Sequence, residues 1–185
     1  MMTWDRRGML EGVGALIGLA ALPSEALAAN AAKKGAKPPL LDPPTTALVT
    51  ALADTLIPRT DTPGALQAGV PATFDALLRD WASAPHRAAH LAALSAIDSA
   101  ASAKAGKSFA LLPPSQRLSF LTAYDAEHFA TDPAYAKLKD LLVGLYYLSE
   151  PGASVELRYE HAPGAWEASI PLTPATRAWG GANGA

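Results

Sequence analysis

At 185 residues, half of them hydrophobic, the chain carries enough apolar surface for one core of ordinary size, and its length argues against a second. A formal charge of -2, from 15 basic and 17 acidic residues, supplies no field that would draw the protein to a phosphate backbone, so no nucleic-acid partner is expected. The absence of cysteine removes disulfides, thiolate metal sites, iron–sulfur ligation, c-type haem attachment and thiol nucleophiles from this polypeptide.

The first element in chain order reads as an export signal. Arg6 and Arg7 stand just before an apolar, small-residue run from Gly12 to Leu22; Pro23 breaks that run, and Ala26-Leu27-Ala28 supplies small residues for cleavage. The adjacent arginines, with Met9-Leu10 following after one residue, resemble the twin-arginine (Tat) consensus, from which Asp5 and the missing downstream lysine depart. A transmembrane anchor is the alternative. Glu11 and the Gly/Ala content leave the run short of the roughly 20 apolar residues a bilayer needs. The expected organisation is therefore a Tat signal over 1–28, a leader over 29–44, a helical domain over 45–157 and an extended arm over 158–185. Cleavage after Ala28 removes two arginines and three acids and leaves a mature chain near neutrality. Because the Tat translocase carries folded cargo, the signal implies folding before export, around a cofactor or with a partner.

The leader holds Lys33, Lys34 and Lys37 and two Pro-Pro pairs, with no apolar period. Thr45 or Thr46 is positioned to cap a first helix with Leu48, Val49, Leu52 and Leu56 on one face, ended by Pro58. Arg59 to Gly69 reads as a compact loop. Pro71 opens a second helix in which Phe74, Leu77, Leu78 and Trp81 share a face. After Pro85 an alanine-rich helix runs to about Lys104, with Leu91, Leu94, Ile97 and Ala101 on a narrow stripe, and Gly106 stops it. Pro113-Pro114-Ser115 begins a fourth helix with Leu118, Leu121 and Tyr124 on one face. Asp132-Pro133 begins a fifth, whose stripe of Leu138, Leu141, Leu142, Leu145 and Leu148 is expected at the bundle centre, bounded by Pro151-Gly152. No alternating run of five or more residues occurs, so the fold expected is all-α, a small bundle of about five helices with an extended, proline-containing C-terminal arm. In that arm Pro163, Pro171 and Pro174 interrupt any helix, while Tyr159, Trp166 and Trp179 supply apolar area that must lie either on the parent bundle or on another chain.

Catalytic motifs are missing. His86 and His90 have the i, i+4 spacing of a shared metal, but no Glu follows His86 and no third ligand is evident, so two solvated histidines are the simpler reading. His128 and His161 have no recognisable partner. There is no G-x-S-x-G elbow and no Walker loop, and Gly12-Val13-Gly14 belongs to the signal rather than to a dinucleotide turn. No catalytic, cofactor-binding or metal residue is assigned to this chain.

Two stretches carry a resemblance. Leu52-Ala53-Asp54-Thr55-Leu56-Ile57-Pro58-Arg59-Thr60-Asp61-Thr62-Pro63-Gly64-Ala65, followed by Ala68-Gly69-Val70-Pro71, resembles a characteristic segment of the gluconate 2-dehydrogenase subunit 3 family. Leu138 to Gly152, with Leu157-Arg158-Tyr159 and Pro163-Gly164, is similar to that family's C-terminal half. The resemblance implies a helical, non-catalytic small subunit that pairs with a large FAD-containing dehydrogenase subunit of the glucose–methanol–choline type. That partner lacks its own export signal and crosses the membrane folded with the small one, and a multihaem cytochrome c often completes the complex. FAD and haem c would then belong to the partner chains, the complex would be periplasmic and membrane-associated, and its substrate would be a sugar, polyol or sugar acid. Two segments are candidates for the partner interface. The loop residues Asp61, Thr62, Pro63 and Gly64 form a rigid turn that either docks a partner or merely joins two helices. The arm residues Tyr159, Trp166, Arg177 and Trp179 are of the types enriched at interface hot spots, though self-packing accounts for the same aromatics.

Overall fold

The computed structural model describes residues 37–159, 169 and 171–180, with the backbone alone at 179–180. The expected export signal, with Arg6, Arg7, Ala26 and Ala28, lies outside the described residues, as do His161 and Trp166. The body from Pro39 onward is one compact unit.

Five α-helices are found among the described residues: α1 (Pro43–Leu56), α2 (Val70–Asp80), α3 (Ala84–Ala105), α4 (Pro114–His128) and α5 (Pro133–Tyr147). Each has proline in its first turn, where the missing N–H has no intrahelical acceptor to lose and the fixed φ already suits the helix. None of these helices is long and apolar enough to cross a membrane. The expected all-α bundle is the observed fold.

Several boundaries differ from expectation. α1 is capped by Asp42, whose carboxylate accepts from the Thr45 amide at 3.1 Å, so Thr45 and Thr46 are helical and Pro43-Pro44 belong to α1 rather than to a solvated leader. The chain is already engaged before this point: the Leu40 and Leu41 amides both donate to Asp75 Oδ1 on α2, at 2.9 and 2.7 Å, and Leu41 is buried. Between Gly106 and Pro113 a 3-10 turn, Phe109–Leu111, buries Phe109 completely. It is fixed by Asp98, whose carboxylate accepts from the Ser108 hydroxyl and the Phe109 amide.

The core lies where α3 and α2 pack on α5 and where α1 packs on the 3-10 turn. Val49, Leu52, Phe74, Leu78, Leu94, Ile97, Leu138 and Leu142 are all within it. Three residues expected on core faces are instead outside. Trp81 is 87 % exposed and Leu148 85 % exposed, because each falls on the residue that ends its helix, where the 3.6-residue stripe no longer applies. Leu118 is exposed because α4 buries Phe120, Leu121 and Tyr124, a face turned away from it. Tyr135 and Tyr146 fill the space at either end of the α5 stripe. Tyr135 donates to Asp125 at 2.9 Å, and Lys139 completes that cluster at 2.6 Å from the same carboxylate.

Past α5 the chain makes one π-turn, Gly152–Glu156, and then a two-residue strand, Arg158–Tyr159, which pairs in parallel with Trp179–Gly180. The two ends of the described arm thus pair with each other.

Candidate partner-docking site

The segment from Ile57 to Val70 is built from its own backbone upward. Pro58 prevents α1 from continuing, and Ile57 closes the helix by donating to Ala53 O at 3.0 Å. The chain then reverses. Ala65 N donates back to Ile57 O (2.9 Å), Thr60 N to Thr62 O (3.1 Å), Gly64 N to Gln67 Oε1 (2.9 Å) and Val70 N to Ala65 O (3.0 Å). The turn folds back under the end of α1 so closely that a Cβ at Gly64 would stand 2.6 Å from the Arg59 nitrogen and 2.7 Å from Ile57 O; glycine is the residue that fits. Gly69 then takes φ +70° to start α2.

Tertiary contacts brace this loop from the C-terminal half. The Tyr146 hydroxyl donates to Pro63 O at 2.7 Å, the Thr62 hydroxyl donates to Glu156 Oε2 at 2.6 Å, and Arg177 Nη2 meets Asp61 Oδ2 at 2.7 Å. Gly152 allows the approach of the π-turn, because a Cβ there would collide with the Tyr146 carbonyl. The Ser149 hydroxyl donates to that carbonyl and accepts from the Gly152 amide. Hydrogen bonding from Arg177, and secondarily from Thr60, holds the Asp61 carboxyl below its ordinary pKa, while burial raises that of the Tyr146 phenol.

The eight sequence-predicted interface residues therefore divide. Thr62, 6 % exposed, and Gly64 face inward and give the loop its shape. Asp61 and Arg177, 116 residues apart, are brought together at the surface. Pro63 is half-buried, and its carbonyl is taken by Tyr146. Tyr159 is exposed, Trp179 contributes backbone pairing to Arg158, and Trp166 is outside the described residues.

Sequence reasoning missed Tyr146 and Glu156, the two braces, as well as the exposed apolar residues beside them. Tyr147 and Leu148 follow Tyr146, Val155 precedes Glu156, and Leu66 lies on the loop itself; all are exposed. A break in the α5 leucine stripe at Tyr146-Tyr147-Leu148 is the signal that could have shown them.

Elsewhere, His90 packs its ring edge-on to Phe74 and buries an unpartnered Nδ1, while His86 is exposed; burial, then the neighbouring His86 and Lys137, keeps the His90 pKa low. His128 lies against the Tyr124 ring, centroids 4.1 Å apart. No cluster of three potential metal ligands occurs among the described residues. An open groove of about 540 Å³ between the end of α3 and the start of α4 is lined by Lys104, Leu112, Gln116 and Phe120 among others, with no carboxylate or imidazole in its wall.

These features define a small helical-bundle protein with one loop braced at three points by its own C-terminal half. Residues 43–164, beginning at the first residue of α1 and spanning the braced loop, match the family model for gluconate 2-dehydrogenase subunit 3. The chain belongs to the gluconate 2-dehydrogenase subunit 3 family, and so to the subunits of an oxidoreductase complex. No curated protein and no solved structure matches it.

Proposed function

We propose that the chain is a non-catalytic small subunit and Tat export escort of a periplasmic, FAD-dependent sugar, polyol or sugar-acid dehydrogenase. The large flavin-bearing subunit docks on the end of the bundle that carries the braced loop. FAD, and haem c where a cytochrome subunit is present, reside in the partners. Besides family membership, the observation that carries this reading is apolar surface left over beside a fixed scaffold. Leu66, Tyr147, Leu148 and Val155 are exposed on segments whose backbones are tied by Tyr146, Thr62 and Glu156. A braced backbone loses little further freedom on binding, so such a surface suits a lasting subunit contact.

Co-expression tests the proposal. A large flavoprotein without a signal should reach the periplasm only when this chain accompanies it, and replacing Arg6 and Arg7 by lysine should strand both in the cytoplasm. Leu148→Asp should abolish co-purification while leaving the helical circular dichroism of the chain intact. Turnover by the purified chain alone, or a flavoprotein exported equally well without it, would defeat the reading.

A further inference from the structure

The stretch from Pro171 to Ala178 is held differently from everything else in the described fold. Its side chains are almost all exposed, and Leu172, at 89 %, buries nothing against the body. Its internal order comes from a small turn in which Thr173 N donates to Thr176 Oγ1 at 2.9 Å and Thr176 N donates to Thr173 O at 3.0 Å. Two of its attachments to the rest of the described fold are polar and adjacent. Arg177 reaches Asp61 on the loop, and the carbonyl of the next residue, Ala178, accepts from the Arg158 amide at 2.8 Å at the start of the parallel pairing. A two-residue ladder is marginal by itself.

We propose that Asp61 and Arg177 form an electrostatic latch that sets how often this strap, residues 171–180, is closed on the body in the free chain. The geometry supports the assignment. Arg177 anchors its side chain to a loop that is itself fixed by Tyr146 and Glu156, and this places the neighbouring Ala178 carbonyl in register with Arg158. Closing the latch therefore orders the ladder, and opening it frees both. The contact is exposed on both sides, 42 % for Arg177 and 74 % for Asp61, so salt screens it readily. Opening leaves the helices untouched, since no described side chain of the strap belongs to the core. For the docking reading above, a closed strap presents Tyr159 beside the loop in one arrangement before any partner arrives. That consequence rests on the docking reading; the latch itself does not.

The test uses the full chain without a partner and reads hydrogen exchange at the Arg158 amide, which donates to the Ala178 carbonyl while the strap is closed. Asp61→Asn and Arg177→Gln should each speed that exchange about two- to fivefold, the range expected for an exposed ion pair. The exchanged pair, Asp61→Arg with Arg177→Asp, should restore at least part of the protection. Sodium chloride at about 1 M, where screening acts within a few ångströms, should speed exchange in the wild type and have little further effect in Asp61→Asn. Amides of α5 should not respond in any of these arms. Unchanged Arg158 exchange in both single variants, or a salt response that persists undiminished in Asp61→Asn, overturns the latch. The salt titration of the unmodified chain stands even if a variant folds poorly, and a failure here leaves the co-expression test of subunit docking unaffected.

Discussion

The loop 57–70 and the strap 171–180 look alike as sequence, both irregular and punctuated by proline, glycine and threonine, yet the fold treats them in opposite ways. The loop buries Thr62, seats Gly64 against backbone and is bonded to two other elements of the body. In the strap nearly every described side chain is exposed, and an ion pair and a two-residue ladder join it to the rest of the described fold. Irregular backbone becomes part of a core when its polar groups find partners at a distance, and composition alone does not reveal whether they do.

Substitutions in the loop should act on the whole molecule, and those in the strap on the strap alone. Gly64→Ala should have the largest effect, a loss of about 3 kcal/mol in chemical denaturation, because the added methyl meets unyielding backbone rather than a movable side chain. Thr62→Val should cost about 2 kcal/mol, since it strips a donor from the Glu156 carboxylate in a part-buried site. Tyr146→Phe should cost about 1 kcal/mol by leaving the Pro63 carbonyl without its donor, measured as a lower Tm with unchanged helix content. If any of these three leaves global stability untouched, the loop is no more integral than the strap.

Acid offers a subtler probe of the same contrast. His90 has a folded pKa below its unfolded value near 6.5, chiefly through burial, so its neutral form contributes stability that is fully present above that pH and is lost as pH falls through the folded pKa. Bundle and loop should weaken together over that window, and His90→Leu should flatten the upper part of the decline. Asp125, held below its ordinary pKa by Lys139 and Tyr135, adds a later loss below about pH 4, with the same sign. Smallest of all, Arg177→Gln should change the global unfolding free energy by less than about 0.5 kcal/mol while altering strap exchange.

Much of the bundle was legible in the sequence because proline at the head of every helix and leucine or phenylalanine at helical spacing act locally. Leu52, Phe74, Ile97 and Leu138 fall in the core where the period puts them. The period misplaced Trp81 and Leu148 because it carries no information on where a helix stops. The loop's compactness was readable from Pro63-Gly64 and Gly69. Its braces were not: Tyr146 and Glu156 lie 83 and 94 residues from their partners, and no local pattern records a bond of that span. Asp61 and Arg177 were both singled out from sequence, but as contacts to another chain rather than to each other.

Trp81 has a spectroscopic consequence. With its indole almost fully in water at the end of α2, it should emit at long wavelength in the native protein and shift little on denaturation, whereas buried Tyr124, Tyr135 and Tyr146 change solvent completely. Trp81 emission therefore does not report unfolding, and tyrosine absorbance is the optical signal that follows the bundle as it melts.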